Sequence, residues 1–245
     1  MVLPLFHTDI SAAPEVGSEV RLAGSEGKHA VTVRRMRVGE GVQLANGSGL
    51  RIIGEVSALE ANALTLRVTA SEQEEPASPA LVLVQALAKG DRDELAIQAA
   101  TELGASEVVP WQAERSVSRW EGPKIAKGVD RWQIIVAEAA KQALRAYTPL
   151  VAQPVSSKQL CSSVASYSRL LVLDPTAATA LSEISLPTDG RLGIVVGPEG
   201  GISDGELAAL ESAGAVRVRL GSEILRTSTA GVAAVAVIQS KLGRW

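Results

Sequence analysis

The chain has 245 residues, 46% of them hydrophobic and 21% charged, a balance that excludes wholesale disorder and suits one large domain or two small ones. Aromatic residues make up 3% and the formal net charge is −3, which argues against a many-ring base-stacking surface and against a general nucleic-acid binder. A single cysteine, Cys161, excludes an intrachain disulfide, and two histidines, His7 and His29, are too few to complete a Cys/His zinc cluster.

No metal site is therefore expected. The N-terminus lacks a basic region followed by an apolar one, and no apolar run approaches membrane-spanning length. The expectation is a cytoplasmic protein.

Residues 1–72 read as short strands separated by turns. Glu19–Leu22, Gly41–Ala45, Ile52–Leu59 and Ala63–Thr69 mix β-branched and aliphatic residues. Asn46-Gly47-Ser48-Gly49 and Glu60-Ala61-Asn62 supply turns, and one short helix is expected over Gly27–Arg35. Strands at this spacing with glycine-rich turns predict a small β-barrel. Lys28, Arg34, Arg35 and Arg37 form a run without acids. It is either a solvated face or a local phosphate-binding footprint.

The acidic, proline-containing stretch Ser71–Pro79 marks the domain boundary. It places a linker at 73–79 and a second domain at 80–245. Ala80–Ala88 is an apolar strand, and Asp91 with Glu94 matches a capping box opening a helix over Arg92–Leu103. Val108–Pro110 is a strand and Pro123–Ala146 a long amphipathic helix. Arg169–Leu173 is a strand, Ala177–Ile184 a short helix and Arg191–Val196 a strand. Ser203 and Glu206 form a second capping box for a helix that stops at Gly214. Val216–Leu220 is a strand, and the Ala/Val-rich helix Thr227–Leu242 is apolar enough to be buried. Strands alternating with helices predict an α/β domain with a mainly parallel sheet.

In such a sheet, ligands bind beyond the C-terminal strand ends. Three unusual loops lie there: Leu173-Asp174-Pro175, Gly197 to Ser203, and Leu220 to Ala230. The glycines of Gly197-Pro198-Glu199-Gly200-Gly201 allow close backbone approach to a ligand, or simply a tight turn. The loop does not match the dinucleotide or P-loop fingerprints, which disfavours an NAD enzyme or an NTPase. Arg226 precedes a helix, where it is either a structural clamp on carbonyls or a holder of developing negative charge. Lys89 and Arg92 flank a helix start, in a solvated turn or on phosphates.

Taken together, these motifs resemble one family. Lys89-Gly-Asp-Arg-Asp-Glu94, Thr101-Glu-Leu-Gly104, Glu114-Arg-Ser-Val117, Arg131-Trp132, Glu138-Ala-Ala-Lys-Gln142 and Arg145 follow one another in its order. So do Gly197-Pro-Glu-Gly-Gly-Ile-Ser203, Leu220-Gly221, Ile224-Leu-Arg-Thr227 and Thr229-Ala230, and, in the first part, His29 to Arg35 with Asn46-Gly47-Ser48-Gly49. The chain resembles the bacterial 16S rRNA uridine-N3 methyltransferases acting at position 1498, near the decoding site.

That resemblance implies a SPOUT-type α/β fold whose last strands and helix thread a trefoil knot, preceded by a PUA-like RNA-binding β-barrel. It implies S-adenosylmethionine as cofactor, the small ribosomal subunit as partner, and a homodimer. Its implied cofactor-binding residues are Leu173, Gly197, Pro198, Glu199, Gly200, Gly201, Leu220, Gly221, Ile224, Leu225, Thr229 and Ala230. Arg226 is the implied catalytic group. RNA would be held by Arg34, Arg35, Arg37, Lys89, Arg92, Arg115 and Arg145. Two positions depart from the family pattern. Ser228 stands where a glutamate is common, and Leu5-Phe6 where a basic residue is common.

The residues suit N3 chemistry better than carbon-5 chemistry, which normally needs a cysteine nucleophile. Cys161 lies in a serine-rich stretch outside the three loops. The rival readings are a knotted methyltransferase acting on another RNA, a non-catalytic RNA-binding or ribosome-assembly protein, and an NAD-type oxidoreductase.

Overall fold

The computed structural model describes residues 2–245. They divide into two compact units, one running up to Pro76 and including Ala140–Thr148, the other made of Ala77–Ala139 and Pro149–Trp245. No helix among the described residues is long and apolar enough to cross a membrane.

The first unit is a five-stranded sheet. Its strands are β1 (Leu5–His7), β2 (Glu19–Leu22), β3 (Gly41–Ala45), β4 (Leu50–Glu60) and β5 (Ala63–Gln73), in the order β1-β3-β4-β5-β2. β1 and β3 are parallel, and the other pairs are antiparallel. The long β4–β5 ribbon shifts register at Ile53/Gly54 and at Val56/Ala58. Such bulges bend strands and sharpen their twist, which curls the sheet around Phe6, Leu44, Ile52, Leu64 and Leu66. β1 is too short to register in the sequence pattern, and β5 runs on through Ser71–Gln73, into the stretch expected to be linker.

The expected helix Gly27–Arg35 differs in kind. α1 spans Gly24–Lys28, then widens to a π-helical turn over His29–Val33. Val31, Thr32 and Val33 are β-branched and crowd an α-turn. The Thr32 hydroxyl also donates to the Lys28 carbonyl at 2.6 Å, a local bond that bends helices. The turn ends at Arg34, whose N–H reaches the His29 carbonyl at 3.0 Å.

The second unit is a seven-stranded, wholly parallel sheet. Its strands are β6 (Ala80–Ala86), β7 (Glu107–Gln112), β8 (Leu150–Val151), β9 (Val155–Ser156), β10 (Arg169–Leu173), β11 (Arg191–Val196) and β12 (Val216–Val218). The order is β12-β10-β11-β6-β7-β8, with β9 also on β7. The helices are α2 (Arg92–Glu102), α3 (Pro123–Gln142, whose last residues belong to the first unit), α4 (Ser157–Ser163), α5 (Asp204–Ser212) and α6 (Thr227–Lys241). Separate apolar clusters cover the two faces of the sheet. One is built on Leu81, Leu83, Ile194, Val235 and Ile238, the other on Val82, Val84, Leu160, Val195 and Leu210. Burying each Val, Leu or Ile in this way contributes roughly 1.5–3 kcal/mol. α6 lies against α2, β11 and β6, so the chain leaving edge strand β12 returns to the middle of the sheet. At its far end the Lys241 ammonium donates to the Ser182 carbonyl.

Three further expectations are corrected. Asp91 does not cap α2: its backbone is left-handed at φ 60° and its side chain makes no capping bond. A cap needs extended backbone to aim its oxygen at the helix N–H groups. Asp93 takes N–H groups instead, from Ala88 at 3.0 Å and Glu94 at 2.9 Å. The expected helix Ala177–Ile184 shrinks to a 3₁₀ turn at Leu181–Glu183, because Ala180 bridges Arg219 and the Arg219 guanidinium takes the Ala177 and Ala178 carbonyls. α3 ends at Gln142 rather than Ala146. Leu144 turns left-handed at φ 56°, and its carbonyl accepts from Arg51 at 2.9 Å.

Candidate active site

β10, β11 and β12 point the same way, so Leu173, Val196 and Val218 end side by side. The three loops singled out from sequence leave these ends and enclose a cavity of about 510 Å³. Its apolar wall comes from Leu173, Val196, Pro198, Ile202, Val218 and Leu220. Asp174, Thr176, Glu199, Glu223 and Arg226 add polar side chains. Pockets of this size with an apolar lining and a few convergent polar groups are the usual shape of a small-molecule site.

The glycine loop is held from both sides. Gly201 sits at φ +73° and donates its N–H to the Pro198 carbonyl at 2.9 Å, a conformation that costs glycine nothing. Ser203 then caps α5, accepting from the Glu206 N–H, as the sequence predicts. Glu206 does more than complete the box. Its carboxylate accepts N–H groups from Glu114 at 2.7 Å and Ser203 at 3.1 Å, and the Ser157 hydroxyl. Burial alone would push this carboxyl up, but those donors outweigh it and hold it below the usual carboxylate range. On the other side, the Thr227 hydroxyl donates to the Gly197 carbonyl at 2.8 Å and accepts from the buried Gln85 amide at 2.9 Å. The end of β6, the glycine loop and the start of α6 are thereby tied at one hydroxyl.

Asp174 is the anchor of the first loop. Burial favours its neutral form, yet the Thr176 N–H and hydroxyl and the Arg217 guanidinium overcome this and keep its carboxyl low. Arg217 also reaches Glu211 at 3.3 Å, linking β12 to α5.

Of the residues implied to bind cofactor, Leu173, Gly197, Pro198, Glu199, Gly201, Leu220, Gly221, Ile224, Leu225 and Ala230 line the cavity. Gly200 and Thr229 do not. The Gly200 carbonyl faces Arg115, which donates to it at 3.2 Å, and the Thr229 hydroxyl turns back to the Arg226 carbonyl at 3.2 Å. Arg226 lines the cavity from the N-cap of α6 with an exposed side chain. Ile224 is 82% exposed and Leu225 40%, large apolar groups left in water at the cavity mouth. Cys161 sits on α4, and burial raises its thiol.

The expected RNA contacts are scattered in kind. In the first unit Arg34, Arg35 and Arg37 are exposed, whereas Arg145 is half-buried, which pulls its guanidinium down to about 10. In the second unit Lys89 and Arg115 are exposed. Arg92 lines the cavity instead, reaching Glu199 at 3.3 Å, and the Lys89 N–H meets the same carboxylate oxygen at 3.0 Å. Sequence reasoning missed Gln85, Arg217 and Thr227 as site supports. Gln85 and Arg217 stand within strands and Thr227 within the third loop, and the groups they tie, Thr227, Asp174 and Gly197, are 142, 43 and 30 residues away in sequence.

Comparison with known proteins accords with this geometry. An RNA methyltransferase domain model matches residues 74–239, and an RNA methyltransferase PUA domain model matches residues 22–69. A ribosomal RNA small subunit methyltransferase E from Mycobacterium bovis is 41% identical over 249 aligned residues, covering 100% of this chain and 94% of the relative. The protein of the same name from Bacillus subtilis is 33% identical, covering 89% and 88%. Among solved structures, the Neisseria gonorrhoeae ribosomal RNA small subunit methyltransferase E bound to S-adenosyl methionine superposes with a TM-score of 0.85. It is 28% identical and covered over 98% of both chains. With a PUA-like curled sheet followed in sequence by a SPOUT-like parallel domain, this chain belongs to the RNA methyltransferase family of the ribosomal RNA small subunit methyltransferases E.

Proposed function

We propose that this chain binds S-adenosylmethionine in the cavity at the ends of β10, β11 and β12 and methylates N3 of a uridine in 16S rRNA, at position 1498 near the decoding site. The observation that carries the reading is the convergence of the three loops on one apolar-walled cavity with Arg226 at its rim. The fit is chemical: Leu173, Val196 and Leu220 offer apolar walls to an adenine, and the glycine loop offers backbone groups to a ribose. When bound, the cofactor supplies an electrophilic methyl group.

The chain's own residues bind and orient. Arg226 holds the uracil oxygens as N3–H gives its proton to water and negative charge spreads over the imide. An exposed guanidinium is weak in water, so this role requires the RNA to cover the rim and exclude solvent. Ser228, on the first turn of α6, lacks a carboxylate to take the proton. Catalysis then rests on positioning and charge stabilisation. Arg34, Arg35, Arg37, Lys89 and Arg115 hold backbone phosphates, which position RNA without reading its sequence. Arg92 and Arg145 are more enclosed, and serve respectively the rim of the cavity and the frame of the first unit.

Three further features belong to this reading. The return of the chain from β12 to α6, which packs against the turn Leu181–Glu183 and bonds Ser182 through Lys241, supports the threading of a trefoil knot. The exposed apolar side chains of Leu95, Ile224 and Leu225 suit a homodimer that covers them. The site of action is the cytoplasm, where small subunits are assembled.

The experiment is methyl transfer from labelled S-adenosylmethionine to small ribosomal subunits lacking the modification, with the modified base mapped. Label at uridine N3 near the decoding site is expected. Cofactor binding without label would move the substrate to another RNA. Loss of both would favour a non-catalytic RNA-binding protein.

A further inference from the structure

The second unit carries another concavity, of about 560 Å³, and of the residues lining it only Lys89 has a role in the proposed function. Its walls are the β6–α2 loop from Ala88 to Asp91, the segment Val117–Trp120, and the first turns of α3. Lys89, Arg119, Lys124, Lys127 and Arg131 all line it. Lys124, Lys127 and Arg131 stand three and four residues apart, so they share one face of α3.

Three acids line the same cavity, and two of them are already engaged. Asp93 accepts the Ala88 and Glu94 N–H groups, and burial raises its carboxyl. Glu94 is gripped by the Arg131 guanidinium, with one hydrogen bond at 2.6 Å. Among the described residues Lys89, Lys124 and Lys127 enter no ion pair, whereas neighbouring Arg92 and Arg131 do. Three uncommitted ammonium groups around one cavity suit a ligand with more than one anionic group.

The cavity also has a fixed aromatic. Trp120 meets Trp132 edge to face, ring centroids 5.1 Å apart, and its backbone N–H bonds Gln112 at 2.8 Å. Its indole lies on Gly128, where an added Cβ would come within 2.6 Å of the ring. Two of the chain's four tryptophans are thus spent at this one place in a sequence poor in rings. A held indole beside free cations is the combination that binds single-stranded nucleic acid, ring against base and cations on phosphates. A concavity of this size admits an unstacked nucleotide and not a duplex.

The two cavities share a wall. The Glu199 carboxylate of the first takes the backbone N–H of Lys89, which lines the second, and the guanidinium of Arg92, which lines the first. We propose that the second cavity seats single-stranded RNA next to the nucleotide being methylated, with backbone phosphates on Lys89, Lys124 and Lys127 and a base against Trp120. This rests on the reading of the chain as an rRNA methyltransferase.

The test uses the full chain, a single-stranded oligoribonucleotide spanning the target uridine, and the double variant Lys124→Ala/Lys127→Ala. Both lysines are exposed, so the fold is retained, and a matching melting temperature checks this. The expected result is an RNA Kd at least tenfold weaker and an unchanged cofactor Kd. The slope of log K against log salt should fall by about 1.4, that is roughly 0.7 for each of two single-strand phosphates no longer neutralised. Trp120→Phe should keep most RNA affinity and Trp120→Leu should lose it, at equal cofactor affinity. An unchanged RNA Kd and salt slope in the double variant, with wild type binding and methylating normally, overturns the second cavity alone. Failure of wild type to bind the RNA overturns this proposal together with the reading beneath it.

Discussion

The hydroxyl of Thr227 donates to the carbonyl of Gly197 across 2.8 Å, joining the first turn of α6 to the glycine loop. The same oxygen accepts from Gln85, so one small group fixes three segments. Thr227→Val keeps the shape and removes the hydroxyl, leaving the Gly197 carbonyl and the Gln85 amide short of a partner. A loss of about 1–3 kcal/mol in stability is expected, read as a lower denaturant midpoint. Titration calorimetry should show roughly tenfold weaker cofactor binding, and Thr227→Ser should restore both.

Arg226 is exposed and makes no capping bond, so removing it costs the fold little. Arg226→Ala is expected to lower the single-turnover methylation rate by roughly 10²-fold, the size of effect seen for one charge-stabilising donor. The cofactor Kd should stay within about twofold, a difference of roughly 0.4 kcal/mol. A variant with near wild-type turnover removes Arg226 from the chemistry.

Asp174 and Glu206 both have carboxyls held below their ordinary range by hydrogen bonds that outweigh burial. A carboxyl lowered by folding contributes stability that is present above its unfolded value, near pH 4, and is lost as pH falls through the folded one. Denaturant melts should therefore be flat in this respect from pH 7 to about 5 and decline steeply below about 4. Asp174→Asn should be less stable at pH 7 by about 1.5–3 kcal/mol, the size of a lost hydrogen bond to a charged group, since Arg217 is left without its closest partner. Its acid decline should be shallower than that of wild type.

Ser228 lies on the first turn of α6, where a negative side chain meets the positive end of the helix. Ser228→Glu is expected to raise stability by about 0.3–1 kcal/mol and to leave the methylation rate within about threefold, which is roughly 0.7 kcal/mol in barrier. A rate gain of tenfold or more would instead give the added carboxylate a part in removing the proton.

Much of this molecule is written locally in its sequence. β10 and β11 are apolar runs bounded by polar turns, and their observed limits match the expected ones. The Ser203 capping box is legible because its partners are three residues apart. The Asp91 box has the same spacing and fails, because Gly90 and Asp91 are both left-handed, at φ 68° and 60°, and a cap needs extended backbone. The cavity loops were recognisable by their glycines and their place after strands. Their supports were not: Gln85 and Thr227 are 142 residues apart, and Asp174 and Arg217 are 43. Such pairs exist only once the sheet has been ordered. β8, β9 and α4 were missed because they are two, two and seven residues long, too short for periodicity to speak.

The nine residues Ala140–Thr148 belong to the first unit although some sixty residues of the second precede them. Arg51 bonds Leu144, Tyr147 bonds the Glu74 carbonyl, and the buried Lys141 bonds Glu26. The first unit is thus encoded in two separated stretches, and a cut at the boundary near residue 76 does not release it whole. A fragment beginning at residue 77 would carry an orphaned stretch whose ionic and carbonyl partners had been discarded. Recombination that shuffles domains as cassettes meets the same obstacle, so a lineage carrying this arrangement must inherit both parts as a single heritable module.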